Sequence, residues 1–259
     1  MDSLHSHIGR VIERATRDAV CPEHGAYLST NIIARVWSQC PDCNAERSAK
    51  AAAENAEAAR KAAEERHQRQ LDAVRIPERF GRCTFENFAA DTDGQRHALS
   101  VLRDYAERFD EHRRTGASLV LSGKPGTGKS HLAGAVLRAL CDRSVRYVTC
   151  LDMIRAVRDT WRKDSDRSEL QLLDYLESLD LLVIDELGMQ YGTDGEQTII
   201  FDVLDRRYRE MRPVILITNQ DSEGLKSFVG ERVFDRLRET ARWVAFDWES
   251  YRAQARKNA

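Results

Sequence analysis

The run Gly123-Lys124-Pro125-Gly126-Thr127-Gly128-Lys129-Ser130 constrains this chain more than any other part of its sequence. It satisfies G-x-x-x-x-G-K-[ST] at each required position, and the physics of that pattern dictates what must surround it. Glycines let the backbone curl until successive N–H groups face one point, where the N-terminus of a following helix adds its positive end. The loop therefore needs a strand before it and an amphipathic helix after it. Ser118-Leu119-Val120-Leu121 reads as the strand, and from Lys129 onward Leu132, Val136, Leu137 and Leu140 recur at helical spacing. This placement predicts a ligand that carries β- and γ-phosphates. Gly123 through Ser130 would cradle its phosphates, with Lys129 reaching the β- and γ-phosphates and the Ser130 hydroxyl on Mg2+.

Further apolar runs at Val145–Cys150, Leu181–Ile184, Val214–Ile217 and Trp243–Phe246 alternate with helical periodicity such as Ile200, Val203, Leu204 and Tyr208. Strands alternating with helices predict an α/β domain, a mainly parallel five-stranded sheet covered on both faces. Leu181-Leu182-Val183-Ile184 ends in Asp185-Glu186. A carboxylate at such a strand end can hold the Mg2+ shell and the next can polarise an attacking water, so Asp185 is assigned to magnesium and Glu186 to the water. The run Val214–Thr218 ends in Asn219, whose amide could orient that water or touch the γ-phosphate.

Near the N-terminus, Cys21-Pro22-Glu23-His24 and Cys40-Pro41-Asp42-Cys43 form two knuckles. Two ligands three residues apart can grip one tetrahedral ion from a tight turn, and two such turns complete a Cys3His site suited to Zn2+. A segment this small buries too little apolar area to fold unaided, so metal would supply that stability. Residues 45–74 then contain no Gly or Pro, with Ala51-Ala52-Ala53, Ala58-Ala59 and Ala62-Ala63 among charges on every face. They predict a solvated helical linker. The predicted domains are 1–44, a zinc module; 45–74, the linker; and 75–259, the ATPase. The other cysteines (Cys83, Cys141, Cys150) are scattered, the last two in apolar patterns that predict burial. The net charge of -2 gives no global field for nucleic acid. No run of 18 apolar residues spans a membrane, and Met1–Ile12 lacks a signal-peptide core, so a cytoplasmic location with no membrane partner is expected.

The motifs in this order resemble the AAA+ superfamily and, within it, the DnaC/IstB-like clade, most closely DnaC-type helicase loaders. The resemblance covers roughly residues 75–255. It rests on Cys83-Thr84-Phe85-Glu86-Asn87-Phe88, the phosphate loop, Asp180–Glu186, Gly230-Glu231-Arg232-Val233-Phe234-Asp235-Arg236 and Trp248-Glu249-Ser250-Tyr251-Arg252. It implies that Arg236 is an arginine finger, with Arg232 one turn before it, and that Arg252 is the sensor-2 arginine. Such a finger often comes from a neighbouring subunit, so self-association in an ATP-dependent ring or spiral is expected. Only 13 residues follow Phe246, too few for the helical lid of most AAA+ proteins, a lack that DnaC-type loaders share. The resemblance also implies a DnaB-type hexameric replicative helicase and single-stranded DNA as partners. Trp161 and Arg162 lie where loaders line a DNA channel, and Thr193 matches a second contact. Gly195 stands where an aromatic is usual. The zinc module is assigned to helicase docking, with DNA binding as the alternative. An IstB-like helper of a transposase would share this core. A stand-alone P-loop kinase would need a second substrate site, which the sequence does not display.

Overall fold

The computed structural model describes residues 14–33, 35–188 and 193–251, so Arg252 lies outside the described residues. The chain forms two compact units that divide between Glu65 and Arg66.

In the first unit, β1 (Thr16–Cys21), β2 (Gly25–Ile33) and β3 (Val36–Trp37) make an antiparallel sheet in that order. Cys21 pairs with Gly25 across the first turn, where Gly25 takes φ 78°, a left-handed value glycine adopts without a Cβ clash. Strand alternation sets Val20, Leu28 and Ile32 on one face, and all three are exposed. On the other face Ser29 is buried and donates its hydroxyl to the Ser38 carbonyl at 2.7 Å. Helix α1 (Pro41–Val74) begins inside the second knuckle rather than at residue 45. Proline at the first helical position explains the early start, because its preset φ suits the helix and its missing N–H would have had no intrahelical acceptor there. Along its charged length α1 is exposed, as the absence of an apolar stripe predicts.

The second unit takes in the last turns of α1, where Leu71 and Val74 reach its core. A 3-10 turn (Glu78–Phe80) leads to α2 (Asp93–Glu107) and α3 (Phe109–Thr115). Thr92 and Gln95 close a capping box on α2. Then follow β4 (Ser118–Gly123), α4 (Lys129–Ala139), β5 (Val145–Thr149), α5 (Cys150–Asp159), α6 (Glu169–Ser178), β6 (Leu181–Leu187), α7 (Asp194–Arg209), β7 (Val214–Thr218), α8 (Ser222–Val229), α9 (Glu231–Thr240) and β8 (Ala241–Phe246). The five strands run in the order β5-β6-β7-β4-β8, each neighbouring pair parallel.

Period-two alternation splits the core between the two faces of this sheet. Leu119, Leu121, Leu181, Val183, Ile215, Ile217, Val244 and Phe246 face α2 and α4. Val120, Leu182, Ile184, Val214 and Leu216 face α5 to α9. Burial on both sides is what a parallel sheet requires, and it leaves only the strand ends free for chemistry. With β4 between β7 and β8, the loop after β4 opens beside the ends of β6 and β7. Among the described residues no helix is long and apolar enough to cross a membrane.

Candidate functional site

The loop from Gly123 to Gly128 is shaped by its neighbours. Gly123 lies at φ 136°, and a Cβ there would sit 2.2 Å from the Phe246 carbonyl oxygen on β8. Gly128 lies at φ 96°, where a Cβ would come within 2.6 Å of the Phe88 ring. Both positions therefore exclude any other residue on space as well as on φ. The Lys124 amide donates to the Phe246 carbonyl at 3.1 Å, and the Thr127 hydroxyl closes the loop onto the Lys124 carbonyl at 2.8 Å. Two residues beyond β8 hold the remaining carbonyls. The Trp248 indole N–H donates to Thr127 at 3.0 Å, and the Tyr251 amide to Gly126 at 2.9 Å. Pro125 stands exposed at the tip.

Lys129 is buried and donates its ammonium to the Gly123 and Lys124 carbonyls, each at 2.7 Å. Charged phosphate oxygens are stronger acceptors for an ammonium than neutral carbonyls. The hydroxyl of the next residue, Ser130, donates to Asp185 Oδ2 at 2.7 Å. The sheet thus brings together the two oxygens assigned to Mg2+, although they come from residues far apart in sequence. A hydroxyl and a carboxylate are the hard oxygen donors that magnesium takes alongside phosphate and water. Tyr147 on β5 donates a short hydrogen bond to the same Asp185 oxygen. Burial, and then the Asp185 charge, push the Tyr147 phenol far above its usual range, which keeps it a donor.

Glu186 escapes the alternation of its strand. Ile184 pairs with Leu216 and Leu187 with Thr218, so Asp185 and Glu186 together oppose Ile217 alone. This bulge, with Glu186 at φ 60°, turns the Glu186 side chain out to solvent while Asp185 stays buried. The Glu186 amide donates to Asp185 Oδ1 at 2.6 Å. Asn219 follows the last residue of β7, between β6 and β4, and is exposed.

The remaining assignments fall elsewhere. Arg236 on α9 is ion-paired with Asp205 on α7 and lies 4.7 Å over the Tyr208 ring. These neighbours belong to a pocket away from the phosphate loop, one that also takes in Ser118 and Val214 at the opposite ends of their strands. Arg232 is exposed on the same helix. Trp161 is 56% exposed, so it is not a core tryptophan, and its indole N–H donates to Glu169 at 2.7 Å. Arg162 is bound to Asp159 and Asp164 on its own loop. Thr193 is the N-cap of α7, its hydroxyl accepting the Glu196 amide at 3.4 Å.

In the first unit Cys21, His24, Cys40 and Cys43 offer ligand atoms that all lie within 4.8 Å of one another. Cys21 and Cys43 sulfurs are 3.4 Å apart, with His24 Nδ1 at 3.8 Å from the first and 3.3 Å from the second. A tetrahedron with zinc–sulfur bonds of about 2.3 Å has edges near 3.8 Å, so the cluster fits Zn2+ after small adjustments. His24 Nε2 meets Glu46 at 3.1 Å, the carboxylate contact that fixes a ligating imidazole's tautomer. Backbone N–H groups of His24 and then Glu23 hold the Cys21 thiol down to about 6, favouring the thiolate that a metal needs.

Sequence reasoning missed Tyr147, the two hydrogen-bond donors Trp248 and Tyr251, and the packing of Phe88. Trp248, Tyr251 and Phe88 stand inside the segments that carry the family resemblance. Tyr147 had no signal beyond strand alternation.

The family model and a curated relative point to one family. The model of the IstB-like ATP binding protein family matches residues 49–259. The chain is 43% identical over 206 residues to the replicative helicase loader DnaC of Escherichia coli strain K12, covering 76% of this chain and 82% of that one. Among solved structures, the DnaC helicase loader superposes with a TM-score of 0.59 at 24% identity, over 65% of this chain and 98% of that one. The replication initiator DnaA bound to AMPPCP and single-stranded DNA gives a TM-score of 0.58 at 21% identity, over 71% and 55%. At such identities the two structures speak for the fold.

Proposed function

Since the chain belongs to the IstB-like ATP-binding family of AAA+ ATPases, alongside replicative helicase loaders of the DnaC kind, we propose that it delivers a DnaB-type hexameric helicase onto single-stranded DNA. The observation that carries this reading is the cluster of Lys129, Ser130, Asp185 and Glu186, assembled inside the segment that the family model matches. Lys129 would leave the loop carbonyls for the β- and γ-phosphates. Ser130 and Asp185 would hold Mg2+, which when bound neutralises charge on the phosphates, and Tyr147 would keep the Asp185 carboxylate aimed. Glu186, turned out by its bulge, would take the proton of the attacking water, with Asn219 orienting that water. Arg252 would contact the nucleotide as the sensor-2 residue. Arg236 would serve a neighbouring subunit, exchanging the Asp205 carboxylate for phosphate, so the guanidinium keeps an anionic partner throughout.

The Cys21, His24, Cys40 and Cys43 cluster would hold a structural Zn2+, since four protein ligands leave no open position for chemistry. The exposed face of Val20, Leu28 and Ile32 on the same hairpin would dock the helicase. Exposed Trp161 would stack on an unpaired base, with Arg162 and Thr193 as flanking contacts. A pull-down against a hexameric replicative helicase, with and without ATP, tests the reading. Stable capture that places helicase on a circular single strand is expected. Failure to retain helicase in either nucleotide state, with a transposase retained instead, would overturn it in favour of a transposition helper.

A further inference from the structure

A groove of about 490 Å3 in the second unit is lined by Arg75, Arg146, Asp166, Arg167, Gln171 and Tyr175. Three guanidiniums converge there, and among the described residues none of them forms an ion pair. That contrasts with Arg158, paired to Glu196, and Arg162, held by Asp159 and Asp164, on the segment just before. Arg146 lies over the half-exposed Tyr175 ring at 6.0 Å, leaving the aromatic beside the positive charge. The Gln171 carbonyl is used in capping α6, which leaves its amide N–H groups for the groove. Arg75 follows the last residue of α1 at φ 54°, a left-handed position that glycine fills more cheaply. A non-glycine residue kept there at such a cost directs attention to what its side chain does.

We propose that this groove is a seat for the backbone of single-stranded DNA, with Arg75, Arg146 and Arg167 on successive phosphates and Tyr175 stacking on a base. Forked guanidiniums match phosphate geometry, and a sequence-tolerant aromatic beside them is the usual partner for unpaired bases. Asp166, the single carboxylate on the rim, repels phosphate and sets the side from which the strand enters. Helix α6 links this seat to Trp161, which bonds Glu169 in its first turn, while Tyr175 stands about 9 Å farther along the helix. One strand could then run from the exposed indole into the groove. The proposal rests on the reading that this chain binds single-stranded DNA.

The test is equilibrium binding of a fluorescent oligothymidylate across a salt series, in the presence of ATP. Each lost phosphate contact should flatten the slope of log affinity against log salt by about 0.7, hence about 2 for the Arg75→Ala/Arg146→Ala/Arg167→Ala variant. Lysines at the same three positions should restore the slope and only part of the affinity. Tyr175 is exposed and folding should not depend on it, so Tyr175→Ala gives an independent arm, weakening binding about tenfold with the slope unchanged. Wild-type slope and affinity in both the triple alanine variant and Tyr175→Ala would overturn the groove and leave DNA binding elsewhere on the chain. A wild-type protein with no affinity for the oligonucleotide would overturn both.

Discussion

Lys129 and Glu186 answer to different parts of the nucleotide, and the residues around them explain why. Lys129 is bound to two carbonyls of its own loop, so its charge is already aimed at the phosphate position. Glu186 is carried out of line by one extra residue in β6, away from the buried Asp185. Lys129→Ala should therefore abolish ATP binding, whereas Glu186→Gln should bind normally and slow turnover by about 10² or more. Fluorescent-nucleotide binding together with phosphate release separates the two, and equal loss of binding in both variants would refute the division of labour. The glycines, the lysine and the carboxylate pair were legible because each is a local pattern bounded by a strand. Tyr147 was not. Its bond to Asp185 depends on the register of β5 against β6, where Thr149 pairs with Asp185, and no spacing in the chain encodes that.

Elements separate in the same way. The strands of the large sheet announce themselves as apolar runs because both of their faces are buried, and each expected run became a strand, except that Cys150 opens α5 instead of closing β5. The hairpin of the first unit gave no such signal. Val20, Leu28 and Ile32 lie exposed, and its short strands are closed by cysteines and histidine instead of by a core. Metal rather than apolar burial should hold it, since structural zinc in peptides of this size is worth about 10–16 kcal/mol of folding free energy. Elemental analysis of protein purified without chelator should find one zinc per chain. Cys40→Ser/Cys43→Ser should lose it, together with the ordered amide signals of β1 and β2 in NMR. Retained hairpin signals in a metal-free variant would count against a structural ion. Residues 45–74 lie within one long helix, which starts earlier, at Pro41. Pro41 can open a helix as readily as it can end a knuckle, and only the fold chooses.

For the molecule as a whole, a finger role for Arg236 predicts that a lone chain hydrolyses ATP slowly. Arg236 sits on the pocket at the far ends of the strands from the phosphate loop, tied to Asp205. If it serves a neighbour, a trans arginine is worth 10³ or more in rate in related P-loop systems. Single-stranded DNA and helicase, by gathering subunits, should raise ATP turnover, and Arg236→Ala should keep ATP binding while losing that stimulation. Mixing Lys129→Ala chains with Arg236→Ala chains should recover part of the activity that neither has alone, as read by phosphate release. No recovery would mean that the arginine acts within its own chain or not at all. The tie between the phosphate loop and the residues after β8 extends this to the control of affinity. Trp248 and Tyr251 hold the carbonyls of Thr127 and Gly126, so the tail and the loop share their hydrogen bonds. Any ligand that favours one geometry of the loop then favours one geometry of the tail. Thermodynamic reciprocity makes the exchange symmetrical: a neighbour that grips the tail changes nucleotide affinity by the same factor by which nucleotide changes the grip of that neighbour.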